Sequence, residues 1–274
     1  MKSLLARQSA TLTDHPYKFY RDVLDGLNEG QFSYLVGGGH ALERYAGMVR
    51  DTKDLDLFVR PADARDILKI LADRGYQTEL SFPHWLGKVI DGKYFIDIIF
   101  SSGNGICAVD DGWFEHSVAG EILGVGINFC PPEELIWTKA FVMERERFDG
   151  ADIAHIIRTR GKQLDWQRLL RRFEDCWQVL LSHLVLFDFI YASERSLVVP
   201  SWVMGELIER LQADNSEPLS GNRVCRGTLL SRTQYRIDVE NWGYQDARWL
   251  PSGSMTAEQV ANWTVAAKAR TTEN

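Results

Sequence analysis

The sequence predicts a mixed α/β fold: a small mixed β-sheet with helices packed on it, followed by a mainly helical C-terminal region. Three observations carry this. Short apolar runs recur through the first 130 residues, and one of them, 54–59, alternates with period two. Two of them, 86–90 and 94–100, flank Asp91-Gly92-Lys93, and Asp-Gly between such runs is a hairpin signal. After Pro131-Pro132 the apolar spacing changes to the three-and-four pattern of helices.

Taken in order, residues 32–36 form a short apolar strand that runs into Gly37-Gly38-Gly39, and 40–45 open a helix stopped near Gly47. Residues 54–59 alternate as a strand. Pro61 stands at the first helical position of the next segment, Ile67, Leu68, Ile70 and Leu71 give its buried stripe, and Gly75 follows its end. The hairpin comes next, then a strand over 124–129. Beyond Pro131, residues 133–146 read as one helix and 149–160 as a second. The stripe from Trp166 to Tyr191 fits one long helix or two stacked ones. Residues 215–222 form a turn-rich linker, 223–249 mix Arg and aromatics without a clean period, and 256–267 form a helix capped by Thr256. The expected divisions are 1–130, a helical region 131–213, and a C-terminal extension 214–274.

Bulk composition excludes some functions. In 274 residues, 45% hydrophobic and 25% charged is ordinary globular composition, and a formal net charge of −7 offers no global cationic field for nucleic acid. The first fifteen residues lack the apolar core of a signal peptide. The most apolar stretch, 177–191, is broken by Ser182, His183 and Asp188 and is too short to span a bilayer. A cytoplasmic location with no membrane partner is expected. Cys107, Cys130, Cys176 and Cys225 show no zinc or redox spacing, so reduced thiols are expected.

Asp54 and Asp56, two apart on a strand, project from one face about 6.5–7 Å apart. Their mutual repulsion is relieved when a cation lies between them. A solvent-facing strand edge would also accommodate Asp-x-Asp. Asp97 is more demanding. It lies in Tyr94-Phe-Ile-Asp-Ile-Ile-Phe100, where an uncompensated carboxylate costs several kcal/mol, so it needs a partner. A metal shared with Asp54 and Asp56, a salt bridge to an Arg, or a place at the end of the sheet would each serve. Gly37 to Gly39, between strand and helix, lets backbone N–H groups approach a phosphate. No Gly-Lys-Ser/Thr follows, so this is not a Walker loop.

Val36-Gly37-Gly38, a helix, Arg50-x-Thr52-x-Asp54-Leu55-Asp56 and then Asp97 on a later strand together resemble the polymerase-beta-like nucleotidyltransferase superfamily. The form looks most like its small bacterial and archaeal branches, among them antibiotic nucleotidyltransferases and abortive-infection or toxin–antitoxin transferases. The resemblance covers about residues 30–160. It implies that Asp54 and Asp56 bind Mg²⁺ (Mn²⁺ able to substitute) and that Asp97 joins a metal and acts as general base. It implies further that Gly37 and Gly38 hold the phosphate tail of an NTP such as ATP, that Arg50 and Thr52 border that site, and that Lys139 neutralises a phosphate oxygen. Where many family members carry Gly-Ser, this chain has Gly37-Gly38, which forfeits a hydroxyl contact.

The implied reaction moves an NMP to an acceptor hydroxyl with release of pyrophosphate. The acceptor is open: RNA such as a tRNA end, a small molecule or a protein, with an antitoxin or regulatory protein as a candidate partner. Arg168, Arg171 and Arg172, and Arg223, Arg226, Arg232, Arg236 and Arg248 among aromatics, suit an RNA surface or, equally, internal salt bridges. The alternative is a catalytically silent nucleotide-binding or protein-interaction module on the same fold. His40 reads as a capping or packing residue in preference to a phosphate contact, His84 equally as part of an acceptor groove or as an exposed loop residue, and His155 and His183 as packed or surface residues.

Overall fold

A computed structural model of the chain describes residues 15–49, 54–214, 223–249 and 255–271. It divides into two compact units: residues 1–103 with 108–131, and 104–107 with 132–274.

The first unit is a seven-stranded mixed sheet with helices packed on it. Helix α1 (His15–Glu29), which the sequence reading does not include, turns Phe19, Val23, Leu24 and Leu27 inward at helical spacing and packs on the sheet. Strand β1 (Leu35–Val36) is shorter than the expected 32–36 and leads into α2 (Gly38–Ala46). That helix ends at Gly47, whose φ of +68° forms a left-handed cap. Strand β2 (Asp54–Phe58) follows, then α3 (Ala64–Asp73), which buries Ile67, Leu68 and Leu71. Pro61 lies in the turn before α3 rather than at its first residue.

Strands β3 (Gln77–Phe82), β4 (Leu86–Asp91) and β5 (Tyr94–Ile99) form a meander; the expected hairpin is present, with Asp91 paired to Tyr94 so that its turn is the two residues Gly92-Lys93. After a short helix α4 (Asp111–Glu115), β6 (Val118–Ile122) pairs with β7 (Val125–Phe129). The sheet order is β3-β4-β5-β2-β1-β7-β6. Strand β2 lies parallel to β5 and antiparallel to β1. Its Leu55 and Leu57, with Ile96 and Ile98 of β5, are fully buried; the alternate residues form the opposite face. That alternation is what places the aspartates away from the core.

The second unit is mainly helical. Helices α5 (Pro132–Ala140), α6 (Gly150–Arg160), α7 (Trp166–Phe173), α8 (Trp177–Ile190), α9 (Arg195–Val198) and α10 (Ser201–Asp214) precede a two-stranded parallel ladder of β8 (Val224–Cys225) and β9 (Gln245–Asp246). Between these strands lies α11 (Arg236–Glu240), and α12 (Ala257–Thr271) closes the described chain. Thr256 caps α12 as expected: its N–H donates to Gln259 Oε1 at 2.8 Å while its Oγ1 accepts from Gln259 N at 3.2 Å, a reciprocal capping box.

One expected helix differs, and one open choice is resolved. The one placed over 133–146 stops at Ala140, because the following segment has tertiary partners. Glu144 accepts hydrogen bonds from Ser231 Oγ, Arg232 N and Arg232 Nε, and Met143 N donates to Leu230 O. The 166–191 stripe is two helices, α7 and α8, joined by a 3₁₀ turn at Glu174–Cys176 that begins with φ +30° at Glu174. Two buried carboxylates bind this unit together. Arg168 donates to both Glu133 and Glu134, and Arg172 donates to Glu134 at 3.0 Å.

Candidate active site

Strand register brings Asp54, Asp56 and Asp97 together. In the parallel β2–β5 pair, Asp56 stands opposite Asp97 and Asp54 opposite Phe95. One carboxylate oxygen from each aspartate lies within 4.8 Å of the other two, and this is the one group of three possible metal ligands among the described residues. All three residues are partly exposed. They therefore stay within reach of a solute while buried enough for their repulsion to count.

The glycine turn abuts this cluster. Gly37 N–H donates to Asp56 O at 2.9 Å, and Gly37 O accepts from Ala41 N at 3.0 Å, fastening the start of α2 to β2. A Cβ on Gly37 would lie 2.2 Å from the Phe58 ring, and one on Gly38 would lie 1.6 Å from Asp56 Oδ2. Gly38 also holds φ +51°. The two glycines thus keep open the space beside Asp56 that any side chain would fill. An all-oxygen donor set of three converging carboxylates beside this open space fits Mg²⁺ or Mn²⁺.

Tyrosines approach from α1 and β5. Burial, then the nearby Asp54 carboxylate and Tyr94, pushes the Tyr20 phenol up to about 12, so it remains a neutral hydroxyl at physiological pH. A cation is present as well. Lys88 of β4 stands directly across from Asp97, and its ammonium donates to Asp97 Oδ1. The compensating charge that Asp97 requires in its apolar strand is thus present within the chain, from a lysine rather than an arginine. Sequence reading missed Lys88, although counting back through the hairpin from the Gly92-Lys93 turn pairs it with Asp97.

The other expected site residues divide three ways. Gly37 and Gly38 lie at the cluster. Arg50 and Thr52 fall outside the described residues. Lys139 belongs to the second unit, where its ammonium donates to Asp149 Oδ2 at 3.1 Å and Asp152 Oδ2 at 2.8 Å. Burial raises the Asp149 pKa, but the hydrogen bonds from Arg147 and the charge of Lys139 outweigh it and hold the carboxyl below its usual range. The arginines of the second unit are largely committed. Besides Arg168 and Arg172, Arg232 pairs with Glu144, Arg236 with Glu240, and Arg248 with Asp246, while Arg226 donates to Asp175 O. Arg223 lies over the Tyr244 ring at 4.3 Å.

Residues 20–186, more than half of the chain, match the family described as "Uncharacterised nucleotidyltransferase". The chain belongs to this family. Membership of this family and the aspartate triad together support a catalytic nucleotidyltransferase function. No curated protein matches this chain in sequence. Among solved structures, an antigenic nucleotidyltransferase-like protein from Paracoccidioides brasiliensis is similar at 14% identity and a TM-score of 0.45, over 68% of this chain and 94% of that one. The antibiotic-resistance factor ANT(2'')-Ia is similar at 16% identity and 0.37, over 72% and 94%. The lincomycin-bound lincosamide antibiotic adenylyltransferase LnuA is similar at 17% and 0.37, over 51% and 94%. No helix among the described residues is long and apolar enough to cross a membrane.

Proposed function

We propose that this nucleotidyltransferase moves an NMP from an NTP, ATP or another, to an acceptor hydroxyl with release of pyrophosphate. The observation that supports it most is the convergence of Asp54, Asp56 and Asp97 beside the Gly37-Gly38 turn. Asp54, Asp56 and Asp97 would hold Mg²⁺ or Mn²⁺, which when bound supplies charge neutralisation for the triphosphate and for the entering and leaving oxygens. Asp97, one strand over, takes the proton of the acceptor hydroxyl. Gly37 and Gly38 admit the phosphate tail next to Asp56, and Arg50, Thr52 and Lys139 complete the proposed nucleotide contacts. For Lys139, that role requires the ammonium to exchange its bonds to Asp149 and Asp152 for phosphate.

The acceptor is a small molecule, a protein or an RNA. The internal pairing of Arg168, Arg172, Arg232, Arg236 and Arg248 leaves the RNA reading fewer available cations than their number in the sequence suggests. An antitoxin-type partner belongs to the same proposal, and co-purification from the native host tests it. The decisive experiment incubates the protein and Mg²⁺ with each α-labelled NTP and, separately, total RNA, cell protein and candidate aminoglycosides or lincosamides. Label transferred by the wild type and lost in Asp56→Asn supports the reading. Nucleotide binding without transfer to any acceptor would favour a silent binding module instead.

A further inference from the structure

Lys88, Asp97 and Asp56 occupy one transverse row across three adjacent strands, β4, β5 and β2, each opposite the next in register. The Lys88 ammonium bonds Asp97 Oδ1 and lies 4.1 Å from the centroid of the Phe95 ring. The two side chains are 20% and 16% exposed, so water screens this charge less than at the surface. The aromatic ring and the carboxylate together hold the ammonium at the edge of the triad.

Such a cation acts with opposite sign on two species. It repels a free divalent ion approaching the carboxylates. It attracts a divalent ion already complexed to a triphosphate, because that complex carries net negative charge. Three bare aspartates would do the reverse, taking up free metal avidly and repelling the nucleotide complex. We infer that Lys88 is the resident counter-cation of the Asp54–Asp56–Asp97 site, a positioning residue that holds Asp97 and biases the site toward metal arriving with the triphosphate rather than alone. The inference rests on the nucleotidyltransferase reading, and it assigns Lys88 no contact with the reacting atoms.

The test is a pair of binding measurements on the full chain, without turnover. Free Mn²⁺ is titrated by electron paramagnetic resonance, and the Mn²⁺ complex of α,β-methylene-ATP by calorimetry. Lys88→Met is expected to bind free Mn²⁺ about tenfold more tightly and the nucleotide complex about tenfold more weakly. Lys88→Arg, which keeps the charge, should stay within about threefold of wild type for both. A purely structural lysine would move both affinities downward together, or neither, and either result overturns the inference. Should Lys88→Met fail to fold, Lys88→Gln carries the same expectation. Asp54→Asn separates the two levels: if it leaves wild-type Mn²⁺ binding unchanged, the nucleotidyltransferase reading falls too, whereas lost binding with same-direction shifts in the Lys88 variants sinks only the lysine's role.

Discussion

Gly38 and Asp56 are in such close approach that a single added carbon on the glycine would lie 1.6 Å from the carboxylate oxygen Oδ2. A serine hydroxyl at this position would enter the same space. In this chain the contact is exchanged for room beside Asp56. Gly38→Ala should therefore displace the Asp56 carboxylate and strain a backbone at φ +51°. We expect a stability loss of about 1–2 kcal/mol from the left-handed conformation, and Mn²⁺ binding weakened by about tenfold or more. Thermal unfolding and Mn²⁺ titration measure the two effects separately, and unchanged metal affinity would count against the packing argument.

Asp54→Asn and Asp56→Asn each remove one of three repelling charges. Transfer should fall by roughly a thousandfold or more, since the lost ligand acts directly at the transferred group. The unfolding midpoint should hold or rise, because like-charge repulsion within 4.8 Å is relieved. A single-turnover assay beside a urea melt shows both. A variant that keeps full transfer would remove that aspartate from the proposed machinery.

Arg232 distinguishes an RNA surface from a structural one. Its Nε donates to Glu144 at 2.9 Å, and its guanidinium lies 4.7 Å from the Trp263 ring centroid. Removing it leaves the Glu144 carboxylate, already partly buried, short of its main cation. Arg232→Ala should destabilise the second unit by about 1–3 kcal/mol, with an effect on any RNA labelling that is independent of salt. A loss that instead shows a changed salt slope would mark Arg232 as a phosphate contact.

His183 gives the helical unit a pH dependence. It is 3% exposed, its Nε2 lies 3.0 Å from Ala140 O, and its ring stacks on Phe148. Burial holds its pKa below the ordinary 6.5, against the opposing pull of the Ala140 carbonyl. The folded state thus favours neutral imidazole, while the unfolded chain protonates near 6.5. Its contribution is fully present above that pH and is lost as pH falls below it toward the folded pKa. Between about pH 7.5 and 5.5 the wild type should lose about 1 kcal/mol more stability than His183→Gln. This range lies above the titration of the Asp149 and Glu144 carboxylates, which are both held low. Equal slopes for the two proteins would show that His183 does not titrate in this way.

The aspartates were legible because strand periodicity alone decides which face a residue takes, and because a carboxylate amid Tyr94-Phe-Ile and Ile-Ile-Phe100 demands explanation. The glycine turn was legible for a similar local reason. Lys88 was not, since its importance lies in a cross-strand partner nine residues away. Strands β3 and β6 escaped because they are the two edge strands of the sheet and carry Gln77, Glu79, Ala119 and Gly120 in place of a clean apolar alternation. The end of α5 at Ala140 was beyond local reading for another reason. The segment after it is held by Ser231 and Arg232, close to ninety residues further along. The Arg/aromatic segment read equally as an RNA surface or as internal salt bridges, because near partners such as Glu240 and Asp246 are also what chance would place there, while Arg232 pairs with Glu144, far away in sequence.

The transverse row of Lys88, Asp97 and Asp56 has one more implication. Its spacing is written in the hydrogen-bond ladder between three strands, not in the rotamers of three side chains. A loop inserted at the Gly92-Lys93 turn would leave the row aligned, whereas a single residue added inside β5 would send Asp97 to the buried face and bring Ile96 or Ile98 out in its place. The sheet behaves here like a loom: the threads can be lengthened at their ends, but one slipped stitch in the middle erases the pattern of charge.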